Sequence, residues 1–115
     1  MLCEHEYKEI WMAAEARPLT VVWSYSEPEN SDSLITFDER KKIFFWIVER
    51  LLREGRIKLA KHGKFLEGSI DEQIELFRQA FPKTEDGIED GIWFFDEMCP
   101  GGAVWVLEDG SLEWT

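Results

Sequence analysis

The sequence predicts an α+β fold, with about four helices packed on a small antiparallel sheet that ends in a C-terminal β-hairpin. Three observations lead there. Two helix-start signatures, Thr36-Phe37-Asp38-Glu39 and Ser69-Ile70-Asp71-Glu72, each precede apolar residues at helical spacing. Residues 56–60 alternate before the turn residues His62-Gly63, and a second alternating pair of runs flanks Asp109-Gly110. Hydrophobic residues make up 44% of the chain, with six Trp and eight Phe, enough for one core in one domain over residues 1–115.

Along the chain, Tyr7, Ile10, Trp11 and Ala14 mark one face of a first helix over roughly residues 4–16, which Pro18 closes. Residues 19–26 fit both periods: Val21, Trp23 and Tyr25 alternate, while Leu19, Val22 and Trp23 share a helical face. A short helix is expected there. Glu27 to Ser33, with Pro28 and Asn30, is a loop. The clearest helix follows Thr36, with an apolar stripe of Ile43, Phe44, Ile47, Val48, Leu51 and Leu52 and a Gly55 cap. If the His62-Gly63 turn has two residues, Leu59 faces Leu66. A helix after Ser69 carries Ile70, Ile74, Phe77 and Phe81 and stops at Pro82. Thr84 is expected to cap a shorter acidic helix with Ile88, Trp93 and Phe94, interrupted by Gly87 and Gly91. A two-residue Asp109-Gly110 turn pairs Leu107 with Leu112 and Trp105 with Trp114. That register makes a one-sided sheet, apolar toward the helices and acidic toward water.

Charge is segregated. Residues 1–37 carry 2 basic and 7 acidic side chains, residues 38–64 carry 9 and 4, and residues 65–115 carry 2 and 13. After Lys83 nine acids follow without one base, within a net charge of −11. Such a surface repels nucleic acid and anionic lipid and attracts basic partners over about a Debye length, roughly 8 Å at physiological ionic strength. The basic stretch 40–64, beside a wing-like hairpin, is similar to a winged-helix nucleic-acid binder. Its cations alternate with acids, however, and pairs such as Glu49–Arg53 neutralise one another at helical spacing. Neither a signal peptide nor an apolar run long enough to span a membrane is present, so a cytoplasmic protein with reduced Cys3 and Cys99 is expected.

The chain offers little catalytic chemistry. It has no phosphate-binding glycine loop, no HExxH or CxxC, and no Asp-rich calcium loop. His62 lies in a turn without an orienting partner, and Cys99 has the acidic neighbours Asp96 and Glu97, which raise a thiol pKa. A non-enzyme with no catalytic, cofactor or metal site is therefore expected, acting by binding another macromolecule. Trp11, Trp46, Trp105 and Trp114 fall on apolar faces and are assigned to the core. Trp93-Phe94-Phe95, inside the acid-rich segment, is either an interface anchor or a core element.

Two stretches carry a resemblance. Leu51-Leu52-Arg53-Glu54-Gly55-Arg56-Ile57-Lys58-Leu59 continuing to Phe81-Pro82 is the first. Gly91-Ile92-Trp93-Phe94-Phe95 through Cys99-Pro100-Gly101-Gly102 to Trp114 is the second. Together they resemble a family of small bacterial proteins known as domain of unknown function 596. The resemblance implies an immunity-type protein: a small acidic partner that neutralises a toxin of contact-dependent growth-inhibition or polymorphic toxin systems. It supplies no catalytic residues. The expected partner is a basic, nuclease-like toxin domain, bound by a strip formed by Glu85, Asp86, Glu89, Asp90, Trp93, Asp96 and Glu97. A regulatory or structural module, such as a homodimer, and a nucleic-acid binder stay open as alternatives.

Overall fold

Helix α3 (Phe37–Arg53) is the longest element of the computed structural model, which describes residues 2–26 and 35–115. The loop expected at Glu27–Ser33 lies outside the described residues. At the start of α3, Thr36 Oγ1 accepts the Glu39 N–H at 3.1 Å and donates to Glu39 Oε1 at 3.2 Å. The Glu39 carboxylate thus returns to the hydroxyl rather than to the Thr36 backbone. The stripe from Ile43 to Leu52 is buried, and α3 packs against α2 (Leu19–Ser24), β1 (Ile57–Lys61) and α4 (Ile70–Ala80). Its last turn closes as a Schellman motif, with Gly55 N–H on Leu52 O and Arg56 N–H on Leu51 O. The chain then runs directly into β1.

Helix α1 (Glu4–Ala14) begins at an unusual cap. Cys3 Sγ accepts the Glu6 N–H at 3.4 Å, and Glu6 Oε1 accepts the Cys3 N–H at 3.2 Å, a capping box with a thiol in the hydroxyl's place. Tyr7 ties α1 to α3: its hydroxyl donates to Glu54 Oε1 at 2.9 Å, and Arg50 lies 4.1 Å from its ring centre. Arg50 also pairs with Glu4 at 2.6 Å and Glu54 at 2.9 Å. The ambiguous segment after Pro18 is helical because that geometry buries Leu19, Val22 and Trp23 together. In α4 both halves of the expected capping box form, Glu72 N–H to Ser69 Oγ and Ser69 N–H to Glu72 Oε1, each at 3.1 Å.

The core is aromatic. Phe81, at the end of α4, sits 5.5 Å from Trp23, 5.8 Å from Phe44, 5.2 Å from Phe45 and 5.1 Å from Trp93 between ring centres. Phe94 joins the cluster 5.5 Å from Phe44. Tilted and edge-on pairs of this kind add about 0.5–1.5 kcal/mol each beyond the area they bury.

The sheet has four antiparallel strands in the order β2-β1-β3-β4, with β2 at Lys64–Phe65, β3 at Gly102–Val106 and β4 at Leu112–Trp114. The β1–β2 turn is the expected two-residue His62-Gly63 turn, both residues at positive φ (53° and 78°). Leu66 N–H accordingly reaches Leu59 O at 2.9 Å. The C-terminal hairpin departs from expectation. Leu107 N–H bonds Ser111 O and Gly110 N–H bonds Leu107 O, which makes a three-residue loop with Gly110 at φ 87°. Asp109 Oδ1 fixes that loop by accepting the Ser111 N–H at 2.9 Å and its hydroxyl at 2.6 Å.

The extra loop residue slides the register by one, so every β4 side chain changes face. Trp105 pairs with Glu113, not Trp114, and Val106 with Leu112. Trp105 is fully buried against the helices, and its indole N–H donates to Arg17 O at 2.7 Å. Trp114 and Leu112 lie instead on the outer face, 48% and 39% exposed. There Trp114 stacks on Phe65 at 5.2 Å, with the Lys58 ammonium 5.1 Å from the Phe65 ring. The sheet is therefore apolar on both faces, and the core assignment of Trp114 is corrected.

The two tryptophans of this hairpin should consequently differ. Trp105→Ala is expected to cost about 3–5 kcal/mol, as for other fully buried aromatics, and Trp114→Ala about 1 kcal/mol. Urea denaturation of both variants checks this; equal losses would restore the Trp105–Trp114 pairing.

Candidate functional site

The acid-rich segment folds into two short pieces rather than one helix. Helix α5 (Glu85–Ile88) is followed by a 3-10 helix at Glu89–Phe95. Thr84 precedes α5 without the expected side-chain cap bond. Between the pieces the backbone is left-handed at Glu89, Asp90 and Gly91, with φ of 53°, 55° and 95°. Such a conformation costs a non-glycine residue about 1 kcal/mol and holds only where the surroundings impose it. Here the imposition comes from both flanks. Ile88 is buried before the kink, and Gly91, Trp93 and Phe94 are buried after it. A Cβ on Gly91 would lie 2.3 Å from Thr20 Oγ1, so the glycine allows the kink to press directly against α2.

This packing decides which side chains the segment shows. Trp93 is 7% exposed and wedged among Phe77, Phe81 and Phe94, at ring distances of 6.2, 5.1 and 5.3 Å. It is a core residue, and its expected role as a contact in the partner-binding strip is corrected. In its place Ile92, Phe95 and Met98 stand out at 63%, 68% and 70% exposure. Three residues per turn put Ile92 and Phe95 on one side of the 3-10 helix, with Trp93 and Phe94 on the other. Met98, in the turn that follows the helix, is exposed as well. An aromatic run among acids does not say which ring faces solvent; the recurrence of apolar residues at every third position, 92, 95 and 98, is the signal that the sequence offers.

The expected carboxylates surround this ridge in sequence. Glu85, Asp86, Glu89, Asp90, Asp96 and Glu97 are all exposed. Among the described residues, Glu97 alone of the six lies within pairing distance of basic side chains, Lys61 at 3.7 Å and the His62 imidazole at 3.2 Å. Lys61 Nζ also donates to the backbone carbonyls of Glu97 and Cys99, which staples the turn after the ridge to β1. Asp96 Oδ1 accepts the Met98 N–H at 2.9 Å and shapes the same turn. Cys99 lies beneath it, buried, its thiol donating to Gly101 O at 3.3 Å. Burial pushes that thiol up to about 11, opposed by a hydrogen bond with the Gly101 backbone and by the Lys61 charge, with Asp96 adding a small rise. Such a thiol is a poor nucleophile near neutral pH.

The basic stretch is largely consumed internally. Arg40 donates to Trp23 O at 2.9 Å and lies 4.2 Å from the Trp23 ring, while Lys41 is 5.6 Å from the Phe81 ring. Arg53 pairs with Glu49 at 2.9 Å, as its spacing predicts, and with Asp71 at 2.5 Å. Arg56 pairs with Glu54 at 2.9 Å and stacks 3.8 Å from Trp11. Among the described residues no three His, Cys, Asp or Glu side chains converge as metal ligands would. No described helix is long and apolar enough to cross a membrane.

The contact of Gly91 with Thr20 can be tested directly. Gly91→Ala is expected to destabilise the chain by about 2–3 kcal/mol, through left-handed strain and the clash with Thr20. Adding Thr20→Ala should return about half of that loss in a double-mutant cycle measured by thermal unfolding. Additive effects would disconnect the two positions.

Comparison with proteins of curated function gives no match. Among solved structures, an uncharacterised protein conserved in bacteria, from Neisseria meningitidis, shares the fold with a TM-score of 0.77 at 30% identity. The alignment covers 96% of this chain and 84% of that one. The family model described as a protein of unknown function, DUF596, matches residues 52–115, from the last turn of α3 through the ridge to β4. That match takes in more than half of the sequence, and the chain belongs to the DUF596 family of uncharacterised bacterial proteins.

Proposed function

We propose that this protein is a non-catalytic inhibitor of the immunity type, which binds and neutralises a basic, nuclease-like toxin domain through its 85–98 surface. The observation that carries this reading is the set of Ile92, Phe95 and Met98, exposed within a run of carboxylates of which, among the described residues, Glu97 alone is paired. Exposed large apolar side chains cost solubility, and a contiguous set flanked by charge is the usual composition of a protein-binding surface. The two parts divide the work. Glu85, Asp86, Glu89 and Asp90 set a local negative field that steers a cationic partner and speeds encounter. Phe95, between Ile92 and Met98, supplies the apolar contact that slows dissociation once water is expelled. Trp93 and Phe94 contribute from below, because their burial holds the ridge outward.

A toxin that cleaves nucleic acid needs a cationic cleft for phosphate. Carboxylates placed over that cleft occupy the positions of phosphate groups and deny them to the substrate. The internally paired cations of α3 and β1 are consistent with this choice of partner, since they leave few free charges for phosphate contact.

The test is recovery of partners by the tagged protein from lysate of its own organism at low and high salt, followed by binding kinetics with the recovered domain. A basic toxin domain, bound tightly and more weakly at high salt, is the expected partner. Reversing Glu85, Asp86, Glu89 and Asp90 to Lys should lower the association rate at least tenfold, and Phe95→Ala should raise the dissociation rate about tenfold, a loss of roughly 1.4 kcal/mol. Phe95 is exposed enough that its truncation leaves the fold intact. Unchanged kinetics in both variants would remove this surface from the interaction.

A further inference from the structure

Among the described residues, strand β4 is one of the two edges of the sheet, the last in the order β2-β1-β3-β4. Its backbone geometry follows from the loop. Leu107 N–H bonds Ser111 O, and antiparallel bonding alternates by residue, so Glu113 is the β4 residue that bonds across to Trp105. Leu112 and Trp114 therefore direct their N–H and C=O groups outward. Their side chains stand half-exposed on the outer face, where the stacked Phe65–Trp114 pair continues the apolar strip. Among the described residues, Lys58 and Phe65 are exposed on this side as well.

We infer that β4 accepts an extended segment of a partner protein as a fifth antiparallel strand, and that the segment carries a Lys or Arg between two apolar residues. The occupant follows from charge and register. A strand added to β4 places one residue opposite Glu113 in a non-hydrogen-bonded pair, where side chains approach most closely. The hairpin bears Glu108, Asp109 and Glu113 and no base, so a cation is the matching residue at that position. Its two neighbours lie opposite Leu112 and Trp114, on the apolar outer face. A second copy of this chain does not fit. Pairing all three residues of β4 with themselves sets Glu113 against Glu113 at the closest position, between two molecules that each carry a net charge of −11. Glu113 thus bars self-addition while selecting a basic strand, a use of edge charge that natural sheets share. This surface is separate from the 85–98 ridge, so either can fail without the other.

The experiment titrates the full chain with two synthetic nine-residue β-prone peptides, identical except for a Val-Lys-Val or a Val-Glu-Val centre. Amide chemical shifts and hydrogen exchange of residues 112–114 are followed. The Lys peptide should slow exchange at Leu112 and Trp114 and bind about tenfold more tightly than the Glu peptide. Glu113→Lys should invert that preference. Equal binding of the two peptides, or saturation without protection of the Leu112 and Trp114 amides, would overturn the assignment. So would protection of those amides on raising the protein concentration alone, which would identify a second copy as the occupant.

Discussion

Phe81 meets rings from three other elements of the helical half: Trp23 of α2, Phe37, Phe44 and Phe45 of α3, and Trp93 and Phe94 of the 3-10 helix. It reaches that centre because α4 stops at Ala80 and the next residue turns extended, at φ −63° and ψ 137°, before Pro82. The segment after it must then double back over the same rings, with Trp93 and Phe94 as its two buried contacts. From this one packing arrangement follow the left-handed kink at Glu89–Gly91, the contact with Thr20 and the outward direction of Ile92, Phe95 and Met98. Aromatic burial in the core and apolar exposure on the surface are two sides of the same short helix.

Electrostatics divides the molecule in a complementary way. Most of the cations between Arg40 and Lys61 are spent on internal contacts, through Glu4, Glu49, Glu54 and Asp71 and through aromatic faces. At exposed positions each such pair contributes little, about 0.2–1 kcal/mol, but together they orient α1 and the start of α4 on α3. The acids of the C-terminal half receive few of these cations. Their field is directed at solvent, which is why a cationic partner is the natural complement of this surface.

Much of the fold was legible from local chemistry. Both helix-start signatures, the Gly55 cap and the His62-Gly63 turn act within a few residues, so sequence alone located them. The C-terminal hairpin was not fully legible. Asp109-Gly110 signals a turn in either register, and the choice rests on Asp109 bonding Ser111 and on one large indole, Trp105, filling the inner face. The candidate site was legible in its charges and misassigned in its aromatic. The six carboxylates between Glu85 and Glu97 are exposed as their composition predicts, whereas the side on which Trp93 falls depends on Phe77 and Phe81, distant in the chain and invisible to a local period.

Everything proposed for this surface rests on Trp93 and Phe94 holding the core while Phe95 and Met98 face solvent. Hydroxyl-radical footprinting with mass spectrometry measures this directly, as the oxidation rate of each residue in the native chain relative to the urea-unfolded chain. Rates for Phe95 and Met98 close to their unfolded values, with Trp93 and Phe94 slowed many-fold, are the result expected. Oxidation of Trp93 as fast as that of Phe95 would contradict the packing on which the proposed surface depends.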